Sequence, residues 1–405
     1  MIRRAAIRYR DFLRLPDVAT MLVVALVTRM PIGTLSLSML LHVRARAGSF
    51  AVAGAAVGAF MASAAVVAPV IGRVVDRRGP RSILIVTGIV FSLMLAVLLA
   101  AEPLELSNAA MIATAAVAGV FSPPITVLTR TMWRYRFDDA SERTTAYSLD
   151  AVLIELAFTL GPMLVALLLA FATTTAAFAM SWCFCAAAVP VFLASPALKY
   201  WRHEPDAERH LLGPLTEPRL LIVYASTFLF TFSLGLLEVG YPGFATALGI
   251  PALSGILLGI NSLGSAIGGL TYGAVHLNFA VDRLAPRLLA LMVVPVALQA
   301  LTDSPWILSA LAFIAGLLIA PVFTVFSTLI TTNAPSRYAT EAFTWSSTCI
   351  ISGVGVGNAL GGRLLETSGP TATFALSAAI ALAAALCATG TRTNSRGNIV
   401  DDAND

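Results

Sequence analysis

The feature that most constrains this chain is an internal repeat of about 200 residues, built from apolar segments long enough to cross a bilayer. Gly48, Gly54, Gly58 and Gly72 recur as Gly249, Gly255, Gly259 and Gly273 at an offset of 201. Ala118, Gly119 and Pro124 recur as Ala315, Gly316 and Pro321 at 197, and Ala146, Tyr147, Ser148 and Gly161 meet Ala342, Phe343, Thr344 and Gly357 at 196. Glycines and prolines set where helices approach and where they break, so keeping them in register implies two halves of like helix geometry. Parallel repeats of this size imply a binding site between the halves, the arrangement of a transporter.

Composition points the same way. The apolar fraction is 58%, the charged fraction 12% and the mean hydropathy +0.84, whereas soluble globular proteins carry about 25% charged residues. Runs near the length of a bilayer span fall at 17-43, 50-72, 82-101, 106-131, 146-171, 175-197, 219-245, 252-275, 286-302, 306-331, 341-365 and 370-391. The expected fold is therefore an all-α integral membrane protein with twelve transmembrane helices in two pseudo-symmetric six-helix bundles. Residues 1-197 form the first bundle, 198-218 a polar linker, 219-391 the second bundle, and 392-405 a disordered tail.

Arginine placement sets the expected orientation. With the amino terminus inside, 22 of the 26 basic residues fall in cytoplasmic segments. Arg44, Arg46 and Arg363 fall outside, and Arg29 lies within a span. This asymmetry puts both termini in the cytoplasm of a cell with the protein in its inner membrane. The pI near 9.0 is then a topology signal, and nucleic acid is not an expected partner. The basic start MIRRAAIRYRDFLRL precedes an apolar stretch too long for a cleaved signal, so it is read as leading into the first span. Cys183, Cys185, Cys349 and Cys387 fall in spans and read as packing residues, with no metal spacing.

At residues 72–81 the sequence Gly72, Arg73, Val74, Val75, Asp76, Arg77, Arg78, Gly79, Pro80, Arg81 resembles the G-x-x-x-D-R-x-G-x-R loop of the major facilitator superfamily, between the second and third helices. The resemblance covers essentially the whole chain and implies two six-helix bundles rocking around a central cavity. It also implies a gating loop of Gly72, Asp76, Arg77, Gly79 and Arg81. Asp76 would meet the positive start of the eleventh helix near Thr340, and the arginines would meet Asp138, Asp139 or Glu142. The other reading of the loop is an ordinary positive-inside anchor. Gly79 permits the tight turn. In the fifth span, Glu155 to Pro162 is similar in part to the G-x-x-x-G-P element of superfamily exporters, with Ala157 in place of the first glycine. Pro162, after Gly161, is expected to bend that helix. Position 115 is alanine where many drug and proton antiporters carry an arginine, a departure from the proton-coupled pattern.

Charges inside spans are costly unless paired or wetted, so each is a functional candidate. Arg29 lies roughly 18 Å along the first span and Glu155 roughly 15 Å along the fifth, at ~1.5 Å per residue, so the two are expected to pair. Such a pair either couples protons to transport or only orients two helices. Glu238, nearer the outer face, is either an outer gate or substrate carboxylate, or snorkels to the interface. Asp150 is assigned to the cytoplasmic charge network. Asn261 and Asn358 are candidate polar contacts, and the hydroxyls of Thr324, Ser327 and Thr328 are expected mainly to bond their own backbone. Trp133 and Trp306 read as interface anchors.

Neither a nucleotide loop nor a metal cluster is legible, so the chain is not expected to be an enzyme or to need a cofactor. The reading is a monomeric secondary active transporter of the superfamily, moving a small-molecule substrate within the lipid bilayer. Proton-coupled efflux of small amphipathic or cationic molecules comes first. Import of a polar or anionic metabolite and a non-transporting receptor or regulator are the alternatives.

Overall fold

The computed structural model describes residues 14–137, 139–200, 213–274, 281–334 and 339–391. The linker at 201–212 and the tail from 392 lie outside them. The described residues form α1 (Val18–Ala47), α2 (Phe50–Arg78), α3 (Pro80–Leu99), α4 (Asn108–Val120), α5 (Ile125–Arg136), α6 (Ala140–Phe171) and α7 (Thr174–Ala194) in the first half. The second half comprises α8 (Pro218–Ala247), α9 (Leu253–Ala274), α10 (Val281–Gln299), α11 (Pro305–Gly316), α12 (Ile319–Asn333) and α13 (Ala339–Ala388). No strand occurs among them.

Ten helical runs among the described residues are long and apolar enough to cross a membrane. The last covers 50 residues and turns back at Gly369, whose φ of 79° is open to glycine at no steric cost. With α10 as a further crossing, the arrangement is consistent with twelve. The expected fourth span is broken by Phe121–Pro124 into α4 and α5, and the tenth into α11 and α12. The ninth starts five residues earlier than expected, at Val281, because Pro286 lies inside the helix and does not begin it.

Local chemistry explains the turns. Gly48 and Gly249 carry φ of 69° and 70° at repeat-equivalent corners. Gly79, the one residue between α2 and α3, has φ 79° and donates its N–H to Val75 O at 2.8 Å. Ser49 caps α2 by accepting the Val52 N–H, and Thr173 caps α7 by accepting the Ala176 N–H. These short corners make successive crossings antiparallel. Both described chain ends, with Arg136 donating to Pro16 O and Thr391 to Asp282 O, therefore lie at one end of the bundle, called here the terminal end. The corners at Gly48 and Gly249 mark the far end.

Faces turned outward are aliphatic: Ile85, Val86, Ile89 and Leu93 on α3, and Leu291, Val294 and Leu298 on α10 are exposed. In water such stripes are a liability, but in lipid they are the required surface. Leu95, Met111 and Phe178 pack in a core of the first half that also takes in Val239 and Leu365 of the second, and Phe230, Leu289 and Phe326 pack in the core of the second half.

Candidate functional site

The site is built on close backbone approaches that the repeat places in matching pairs. Within the halves, a Cβ on Gly119 would collide with Phe60 O, and one on Gly316 with Asn261 O. Between the halves, a Cβ on Gly54 would collide with Asn358 O, and one on its repeat partner Gly255 with Pro162 O. One turn on, Gly58 sits against Gly355 and Ala359, and Gly259 against Thr159 and Met163. Offsets of 201 on one side and 196 on the other connect every member of the pairs between the halves. The halves thus meet through two equivalent zippers, α2 on the first arm of α13 and α6 on α9. Small residues supply the contact because packing, not water exclusion, drives helix association in lipid.

Both zippers lie in the far half of the bundle. Toward the terminal end the same helices carry exposed apolar side chains: Val66 (74%) and Val70 (56%) on α2, Leu156 and Val152 on α6, Leu263 and Ile267 on α9, and Phe343 on α13.

Arg29 and Asp150 form a pair buried to 1% exposure each, with Nη2 to Oδ1 at 2.5 Å. Arg29 Nη1 also donates to Ala25 O, and Trp133 Nε1 donates to the same Asp150 oxygen at 3.2 Å. The geometry follows from Gly33, one turn beyond Arg29, which presses α1 onto α6 at Ala157 and Gly161. Two sequence expectations are corrected here. Asp150 belongs to a buried pair inside the bundle and not to a surface network, because α6 begins at Ala140 and so carries Asp150 nearly three turns inside. Trp133 is fully buried and serves as a hydrogen-bond donor, not an interface anchor. Trp306, in contrast, is 85% exposed. The side chain of Glu155, and with it the expected Arg29 to Glu155 pairing, lies outside the described residues.

Glu238 on α8 accepts a hydrogen bond from Asn358 Nδ2 at 2.9 Å. The Ser36 hydroxyl of α1 lies beside the same carboxylate without the alignment of a hydrogen bond. Asn358 is fully buried and also donates to Val354 O. Glu238 is partly accessible and stands between the halves, with Asn358 of its own half on one side and Ser36 of the other half beside it. The carboxylate is therefore held by neutral groups and does not snorkel to the interface. Ser36 precedes Glu238 by 202 positions, the offset that also takes Gly33 to Gly235, so the two stand at equivalent places of the repeat and meet where α1 and α8 face each other. The repeat offset was a signal that pointed to this meeting.

Asn261 donates to Ala312 O at 2.8 Å and ties α9 to α11. Thr324, Ser327 and Thr328 each bond the carbonyl four residues earlier, as expected of helix hydroxyls. Helix α6 continues through Gly161 and Pro162, and the Pro162 carbonyl is the one pressed on Gly255. In the loop at 72–81, Gly79 makes the turn and Arg81 is exposed at the start of α3. The side chains of Asp76 and Arg77 lie outside the described residues. Asp139 caps α6 by accepting the Glu142 N–H at 2.9 Å. No group of His, Cys, Asp or Glu that would hold a metal occurs among the described residues.

A family model described as Major Facilitator Superfamily matches residues 21–273 and 223–402. No curated protein sequence matches the chain. Among solved structures the chain is similar to the nucleoside transporter NupG at 14% identity, covering 93% of this chain and 99% of that one, with a TM-score of 0.74. It is also similar to the peptide transporter POT in complex with sulfate at 12% identity, covering 92% and 94%, with a TM-score of 0.71. The human organic anion transporter MFSD10 gives 17% identity, 92% and 98% coverage and a TM-score of 0.63. At these identities the likeness shows the fold alone.

Proposed function

The chain belongs to the Major Facilitator Superfamily, and from that premise we propose that it is a proton-coupled exporter of small amphipathic or cationic molecules working by alternating access. The termini and the linker face the cytoplasm, as the arginine asymmetry supports, so the zippered far side is the outer one. The observation that carries the reading is Glu238, a carboxylate between the halves whose hydrogen-bond partner among the described residues is neutral Asn358. A carboxylate so placed takes up a proton in one state and releases it in the other as the halves rock. An anion importer would need a cation at the cavity, and Arg29, the basic residue within a span, is bonded to Asp150.

In the opposite state the zippers would open outside and close inside. Extending the antiparallel register from Gly58 against Gly355 brings Val70 to Phe343, and from Gly259 against Thr159 brings Leu263 to within one residue of Leu156, the residues now exposed. Gly255→Leu is therefore expected to leave the halves folded while preventing outer closure. In that variant a Val70→Cys, Phe343→Cys pair, with the four native cysteines replaced, should cross-link at least several-fold more than with Gly255 intact. Equal cross-linking would remove the zipper from the transport cycle.

The functional test is accumulation of ethidium in an efflux-deficient bacterium expressing the protein, with and without a proton uncoupler. Lower accumulation that the uncoupler abolishes supports the exporter. Accumulation equal to that of cells without the protein contradicts it.

A further inference from the structure

Glu366 reaches from the end of the first arm of α13 across the outer mouth to the start of α2. Its Oε2 accepts from the Ser49 hydroxyl at 2.6 Å and from the Ala51 N–H at 2.9 Å. Ser49 is the cap of α2, and its oxygen also accepts the Val52 N–H at 3.2 Å. First-turn N–H groups have no partner within their own helix, and together they carry partial positive charge. A carboxylate there is a charge-assisted acceptor, stronger than a neutral one. Here it comes from the other half of the repeat, 317 positions away.

The backbone fixes this reach. Gly362, one turn before Glu366, lies so close to Phe50 O and the Gly54 Cα that a side chain would collide there. The equivalent corner of the other zipper lacks the device: Ala51 corresponds to Ala252, and Glu366 corresponds to Ala170. Positive groups flank the contact, with Arg44 stacked over the Phe50 ring at 4.9 Å and Arg363 one turn back on α13.

We propose that Glu366 is a state-specific latch, completing the amino terminus of α2 only while the outer side is closed and so biasing the resting protein toward that state. This rests on the alternating-access reading above. A helix cap supplied in trans is lost when the halves part, whereas a local cap such as Thr173 on α7 persists through the cycle. Opening outward therefore exposes the Ala51 N–H and the carboxylate to water, and the closed state is favoured by the worth of that exchange.

The test uses the full chain with its four cysteines replaced and spin labels at Leu104→Cys and Leu301→Cys, both exposed on outer corners of opposite halves. Distance distributions are recorded by pulsed electron resonance for this protein and for its Glu366→Gln and Glu366→Ala forms. The latch predicts a short and a long component, with the long one enriched about fivefold in Glu366→Ala, the worth of one helix cap, and less in Glu366→Gln, which keeps an acceptor. Two components in unchanged proportion overturn the latch alone, even if melting temperature falls, since a merely stabilising cap acts on both states. A single distance in all three proteins and in Gly255→Leu overturns alternating access itself.

Discussion

Replacing Asp150 with alanine is expected to destabilise the folded protein by about 3–5 kcal/mol, the cost of breaking a buried ion pair from one side. The variant strips Arg29, buried to 1% exposure, of the carboxylate at 2.5 Å, and it also removes the acceptor of Trp133 Nε1. Guanidinium cannot escape by deprotonation, so the charge must be held without that carboxylate or reached by water entering between α1 and α6. Gly33 and Gly161 leave no room for that without parting the helices. Thermal unfolding in detergent should show a fall of about 4–6 degrees or a failure to accumulate folded protein. The double variant Arg29→Met, Asp150→Leu is expected to recover most of the loss, because apolar replacement of a buried pair is often neutral or stabilising. A recovered double variant that still transports would assign the pair to helix orientation. One that folds but does not transport would assign it to the cycle.

The second large effect is expected at Glu238. Glu238→Gln keeps an acceptor for Asn358 Nδ2, so folding and the meeting of α8 with α13 should be preserved. The amide, however, is a permanent copy of the protonated acid and cannot release a proton. Transport driven by a proton gradient should fall to the level of protein-free liposomes, while exchange of labelled for unlabelled substrate continues. Loss of both activities with intact folding would instead make Glu238 a substrate ligand, and retention of both would remove it from coupling. Asn358→Leu offers a contrast: it leaves the carboxylate able to titrate but unsupported, and it should weaken both activities without separating them.

The glycine repeat was legible in the sequence down to its structural use. Gly54 with Gly255, Gly58 with Gly259 and Gly119 with Gly316 occupy equivalent close approaches, because only a missing side chain permits backbones to come so near. The corner at Gly79 was equally readable, since one residue must reverse the chain there. Pairing between helices was not. Asp150 lies five residues, about 7.5 Å, before Glu155 along α6, and it meets Arg29 because of where Gly33 packs, which spacing along one chain does not reveal. Trp133 was misread because a tryptophan near a span end looks alike whether it faces headgroups or a buried carboxylate. Glu366 left no signal at all, because its partners at Ser49 and Ala51 are brought to it only by the assembled zipper.

The most direct test of the central claim is made in proteoliposomes carrying the protein at one orientation, with a pH jump imposed and both ethidium movement and internal pH recorded for the unaltered protein and Glu238→Gln. The account predicts that the unaltered protein moves ethidium against its gradient with a matching flow of protons, and that Glu238→Gln exchanges ethidium without moving protons. Proton-driven ethidium movement that survives in Glu238→Gln would contradict it.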